Sequence, residues 1–226
     1  MSYPKVIFSL NKSLDKKIGI EFLGSNYLGV NFAQGILGIH PKLRKLILNY
    51  IDEFYRKHNS LLIKTAVSFQ KEWEVKAPIF FSSVDTIFHH SWLPGKYKGY
   101  ISIFDCNPRF LKDKSFQIFY RHQYGPVYVT AHELLHFIFF DYIEKKRGDI
   151  KRKFNDHELC KLSEIVNEIL LDPKYLGKVV TSNKNHQGYP YLKKITNKIK
   201  KKLCKTVTID RIINLISREN LSINDW

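Results

Sequence analysis

Apolar side chains are densest over residues 127–143, where they run almost without a break. The main interruptions are His132, Glu133, His136 and Asp141. Pro126 suits a first helical position, because its missing N–H would have no partner there anyway. Lys145, Lys146 and Arg147 bring positive charge to a last turn, and Gly148 reads as a left-handed stop. This segment predicts a buried helix. A second periodic stretch has Leu43, Leu46, Ile47, Tyr50, Ile51, Phe54 and Tyr55 at three- and four-residue spacing. It pauses at His58-Asn59-Ser60 and resumes with Leu61, Leu62, Thr65, Ala66, Phe69 and Trp73, which predicts two helices or one kinked helix behind a sheet. Residues 1–40 alternate weakly among five glycines and predict a first strand followed by short strands in a hairpin-like arrangement. Residues 79–81 read as a strand and residues 99–104 as a better one, with 116–120 extended. Beyond a polar link at 149–156, Leu159, Leu162, Ile165, Val166, Ile169 and Leu170 define a helix that Pro173 stops. A lysine-rich helix over 192–203 and a final helix over 211–219 complete the chain. The pattern predicts an α+β fold with a small mixed sheet, in one domain spanning 1–226, whose core lies at about 77–175.

Composition narrows the partners. With 44% hydrophobic and 14% aromatic residues, the 226-residue chain has ample material for a core. No apolar run reaches the about 18 uninterrupted residues a membrane span needs, so no membrane partner is expected. Cys106, Cys160 and Cys204 are scattered and odd in number. That is no disulfide framework, and it suits a cytoplasmic location. The 37 basic against 21 acidic residues give a net charge of +16. The lysines are spread along the whole chain, and the densest run, 198–205, has little aromatic interleaving. A solvated basic face is therefore the expectation, with nucleic acid the minor alternative.

The chemistry lies in the interruptions of the apolar helix. His132-Glu133-Leu134-Leu135-His136 is an HExxH pattern. Residues four apart share a helix face, so both imidazoles can aim at one point, with Glu133 offset by about 100°. This is the zincin arrangement: two histidines hold Zn²⁺ and the glutamate handles the proton of a coordinated water. A buried helix would not tolerate His, Glu and His unless something paired them, and a metal does. On the following helix Glu164, Glu168 and Asp172 are spaced by four. Three acids on one face repel, which a dication together with a ligand histidine would relieve, as would solvent. His89 and His90 are adjacent and point apart, so a surface or gap-filling role is favoured over a ligand role.

The two features together resemble the gluzincins, the thermolysin-like zinc peptidases. Those carry HExxH on one helix, a glutamate ligand on the next, and an acid one turn beyond. His132, Glu133 and His136 match the first part. The second part matches in two registers, Glu164 followed by Glu168, or Asn167-Glu168 followed by Asp172. Glu164 is the preferred third ligand, since it puts Asn167 at plus three, where many members have a small residue. Glu168 is then the acid orienting a ligand histidine. Glu164 with Asn167 also resembles the Glu-x-x-Asn pattern of regulatory peptidases that cleave repressors on mobile elements. The resemblance covers about residues 98–175, and no third histidine extends the motif to the metzincin pattern. It implies a zincin-like domain and a zinc-dependent peptidase acting on a peptide or protein, with Glu133 as general base. A second oxyanion donor is sought among His186, Tyr189, Tyr191 and His157, with the 186–191 loop preferred. Residues 99–104 are either a rim strand pairing with substrate or an ordinary inner strand. The alternative reading is a zinc-binding regulatory or interaction protein with little turnover, possible at a nucleic-acid-associated protein.

Overall fold

The computed structural model describes residues 3–21, 26–27, 30–31, 43–180, 190–204 and 206–218. The chain divides into two compact units. One comprises Val6–Gln70 and Lys98–His122, the other Met1–Lys5, Lys71–Tyr97 and Gln123–Trp226. The result is a largely helical α+β chain with a small mixed sheet of four strands.

The first of these units carries most of the sheet. Strands β1 (Lys5–Leu10), β4 (Lys96–Ser102), β5 (Arg109–Phe110) and β6 (Ser115–Phe119) lie in the order β1-β4-β6-β5. β4 runs parallel to β6 and β5 antiparallel to it. β4 therefore has a strand on each side and cannot pair with an extended peptide, so the rim-strand alternative for 99–104 falls. The inner position also explains why Gly99 sits there: a Cβ would lie 2.6 Å from the Phe8 ring. The predicted 116–120 extension is β6. The short-strand expectation for 1–40 holds for β1 and for the pair β2 (Asn26–Tyr27) and β3 (Val30–Asn31). Between them, however, Lys12–Glu21 is helix α1. Asn11 starts it by accepting the Leu14 N–H at 3.0 Å, the N-cap role that asparagine favours. Gly19 serves close packing here and not a turn, since a Cβ would come within 3.1 Å of Ile47 and Phe104.

Helix α2 (Leu43–Phe88) is kinked at His58, where φ is −122° and ψ 15°. The pause in periodicity marked that position. Within this unit the helix backs β1. Phe8 meets Phe69 edge-on, and Gln70 accepts from Phe8 N–H and donates to the Val6 carbonyl, both at 3.0 Å. The Gln70 amide thus pairs with β1 much as a neighbouring strand would. Asp15 of α1 ties the unit together. It is fully buried and accepts from Tyr55, Ser102 and Gln117, each at 2.7 Å. Burial pushes its carboxyl above the ordinary value, against the pull of those donors. Asp15→Ala strands three buried donors and is expected to destabilise the fold by about 3 kcal/mol or more. The pH dependence has a definite sign. A raised folded value means that Asp15's contribution is full below about pH 4 and lost as pH rises through the folded value. The stability of wild type relative to Asp15→Asn should therefore fall with rising pH in that window. Denaturant midpoints measured against pH check this, and a relative stability that rises would contradict it.

The second unit is helical. α2 continues into it through Pro78 to Phe88, so the strand expected at 79–81 is helix. The reason is periodic: Trp73, Phe80, Phe81, Val84, Ile87 and Phe88 are buried while Ile79 is 56% exposed. Three consecutive apolar residues mimicked a strand, but their burial follows 3.6 residues per turn. Trp73, Phe80, Phe81 and Trp92 pack as rings 4.9–6.2 Å apart. Helix α3 (Gly125–Lys146) has Pro126 in its first turn and Lys145 and Lys146 in its last, as expected. It ends at Arg147 and not on a left-handed glycine; Gly148 instead opens α4 (Gly148–Lys153), which replaces the expected polar link and buries Ile150. Helix α5 (Asp156–Leu170) starts with a reciprocal capping box between Asn155 and Glu158. Pro173 opens a π-type turn, Pro173–Gly177, which leads into the short α6 (Lys178–Val180). α7 (Lys193–Lys202) and α8 (Ile209–Arg218) follow where periodicity placed them. Arg147 clamps α4 and α8 to the end of α3 through Asp149, Asp210 and Asn214. Among the described residues, no helix is long and apolar enough to cross a membrane.

Candidate metal centre

α3 is buried on nearly all sides between Pro126 and Ile143. Its polar residues therefore need partners inside the protein. The four-residue spacing puts His132 and His136 one above the other, with their Nε2 atoms 3.0 Å apart. α5 packs against α3, and one contact fixes its height. Asn167, fully buried, donates its amide to the His132 carbonyl at 3.0 Å. With that height set, Glu164 one turn earlier reaches both imidazoles. Its carboxylate oxygens lie 3.4 Å from His132 Nε2 and 3.3 Å from His136 Nε2. One ligand atom from each of the three residues lies within 4.8 Å of the others.

The two Glu164–histidine distances fall where one tetrahedral ion would set them, while the two Nε2 atoms, at 3.0 Å, lie closer than that and would have to part slightly to share it. Zn–N and Zn–O bonds of about 2.0–2.2 Å at tetrahedral angles put donor atoms roughly 3.3–3.5 Å apart. The tautomer is also suitable. Ser163 donates its hydroxyl hydrogen to the Cys160 carbonyl at 2.7 Å and lies 3.0 Å from His136 Nδ1. Its oxygen is thus left to accept the Nδ1–H, which directs the Nε2 lone pair of His136 at the cluster. Burial works to raise the Glu164 carboxyl, and the attraction of His136 and then His132 outweighs it, so the group sits well below the usual carboxylate range. Two imidazoles and one ionised carboxylate could hold a metal, and among the described residues no fourth side chain joins them. Glu133, next to His132 in the chain, is 3% exposed.

The other predicted residues fall as follows. Glu168 is half-buried, one turn beyond Glu164 and outside the three-residue group. His157 is exposed in the first turn of α5. Tyr191 belongs to a short 3₁₀ turn, Pro190–Leu192, while His186 and Tyr189 lie outside the described residues. His89 ends α2 in a left-handed conformation, φ 47°, and is exposed. His90 fills the gap beside α3, with Nε2 2.6 Å from Asp141, which also pairs with Lys145 at 2.9 Å. Neither joins a metal-holding group among the described residues. Cys106, Cys160 and Cys204 are free thiols. Sequence reasoning missed Ser163. Its only signal was its place directly before Glu164, and a serine there has many uses.

Comparison of the chain with protein-family models, with curated proteins and with solved structures returns no match.

The geometry separates the two acids. Glu164→Gln should weaken zinc binding by far more than Glu168→Gln, since a residue outside the ligand set changes affinity only about 10–100-fold or less. Competition with a fluorescent zinc chelator measures both. The reverse order would move the third ligand to Glu168.

Proposed function

We propose that the chain is a zinc-dependent peptidase of zincin-like, gluzincin type. The observation that carries this reading is the convergence of His132, His136 and Glu164 on one point beside the buried Glu133. A structural zinc site is ordinarily closed by four protein ligands, often cysteines. Among the described residues the group has three members, none a cysteine. Zinc held there supplies Lewis acidity and brings the pKa of a coordinated water towards about 7.

Glu133 then has a defined task. It accepts the proton of the water that attacks the peptide carbonyl and delivers that proton to the leaving amine, so one carboxylate serves both steps. Ser163 keeps His136 oriented, and Asn167 keeps α5 at the height that brings Glu164 in. A second donor to the oxyanion is sought among His186, Tyr189 and Tyr191. The substrate is a peptide or protein, and the three free thiols suit a reducing, cytoplasmic setting.

The test has two stages. Metal analysis of the purified chain should give one zinc per molecule. A proteome-derived peptide library should then show a defined set of new termini, suppressed by a chelator and restored by zinc. Stoichiometric zinc with no cleavage of any peptide or whole-protein substrate would favour the interaction-protein alternative and sink the peptidase.

A further inference from the structure

A second surface lies apart from this chemistry, within the unit formed by Val6–Gln70 and Lys98–His122. Tyr50, Phe54 and His58 repeat every four residues along α2, their rings 5.9 and 4.6 Å apart. Phe119 and Tyr120, at the end of β6, extend the row: Tyr120 lies 5.7 Å from Phe54 and 5.0 Å from Phe119. The Arg121 guanidinium sits over the Tyr120 ring at 5.0 Å. These are not core residues. Tyr50 is 38% exposed, His58 and Arg121 are exposed, and Phe54, Phe119 and Tyr120 are half-buried. A contiguous aromatic patch at a surface marks a binding site more often than chance. Neighbouring rings are inclined at 48° to 81°, so the row is built from tilted and edge-to-face contacts.

We propose that this ring-and-cation row binds single-stranded nucleic acid, with unstacked bases packing against the Tyr50 and Tyr120 rings and phosphates drawn to Arg121. Partly exposed rings beside a cation suit an unpaired strand, because every base has a π-face and every linkage a negative charge. The charge balance agrees. The chain carries +16, Arg121 is exposed, and Glu53 is already met by Lys57 at 2.5 Å. A duplex fits less well, since its base faces are buried in the stack. The lysine-rich α7 makes the contrast: it has charge without rings and is read as a solvated face.

The test is fluorescence anisotropy of the full chain with a labelled 20-nucleotide uridine strand, an abasic strand of the same length and a duplex. The uridine strand should bind at least tenfold more tightly than the other two. Tyr50→Ala and Tyr120→Ala should each weaken its binding by about tenfold. Neither should alter binding of the abasic strand. Arg121→Ala, a change at an exposed side chain, should weaken all three ligands and lower the salt slope by about one. Thermal melts confirm that the variants remain folded. Equal binding of abasic and uridine strands, tighter binding of the duplex, or ring variants without effect would overturn the proposal. So would the absence of binding by any strand, which would return the row to a protein partner.

Discussion

Glu133→Gln should keep stoichiometric zinc and the wild-type melting temperature while losing about 10²–10⁴-fold in turnover, the usual contribution of a general base. The reasoning rests on what the substitution changes. Glutamine preserves the shape of a side chain that is only 3% exposed, so packing around α3 is kept. It removes the charge and the basic oxygen, which is the property the proposed proton transfer uses. Glu133 is not one of the three converging donors, so zinc content is expected to hold. The measurement is a rate on a peptide found by library cleavage, made beside metal analysis of the same preparation. Equal rates for wild type and Glu133→Gln at the same bonds would refute the assignment. Loss of zinc in the variant would mean that Glu133 belongs to the ligand set.

His132→Ala and His136→Ala should each abolish stoichiometric zinc, a larger effect than loss of any orienting residue. A stability readout separates metal loss from misfolding. A ligand that binds only the folded state stabilises it by roughly 4 kcal/mol at a thousandfold excess over its dissociation constant. A chelator should therefore lower the melting temperature of the wild type markedly and leave both histidine variants nearly unchanged. The two variants are not equivalent. His136 has no exposed side-chain surface and is held by Ser163, so its truncation also opens a cavity; His132 is 15% exposed. His132→Ala is the cleaner test of metal binding, and His136→Ala should melt lower even in chelator. Full zinc occupancy in the double variant would end the metal reading.

Much of this was legible along the chain because it depends on near neighbours. The spacing of His132 and His136, the apolar envelope of α3, the kink at His58 and the stop at Pro173 are local facts, and local sterics and periodicity decide them. The choice of Glu164 over Glu168 could be argued from the chain through Asn167, a residue small enough to sit between two helices. What Asn167 does there is a contact across 35 positions, its amide on the His132 carbonyl, and periodicity does not contain it.

Errors arose where local pattern and tertiary burial disagree. Residues 79–81 have the composition of a strand, yet the need to bury Phe80 and Phe81 beside Trp73 continues the helix. Gly19 falls in a stretch expected to hold short strands, yet it lies in α1, where it lets Ile47 and Phe104 come close. Asp15 gave no signal at all, since three donors from distant positions make it tolerable inside the fold. The same division separates the two proposed surfaces. The histidine pair needs only one helix, so the sequence by itself determined it. Glu164 beside the histidines, the serine behind His136 and the row of rings from Tyr50 to Tyr120 join elements far apart in the chain. Only packing brings them together, because side-chain chemistry is local while the distance between helices and strands is set by the core they share.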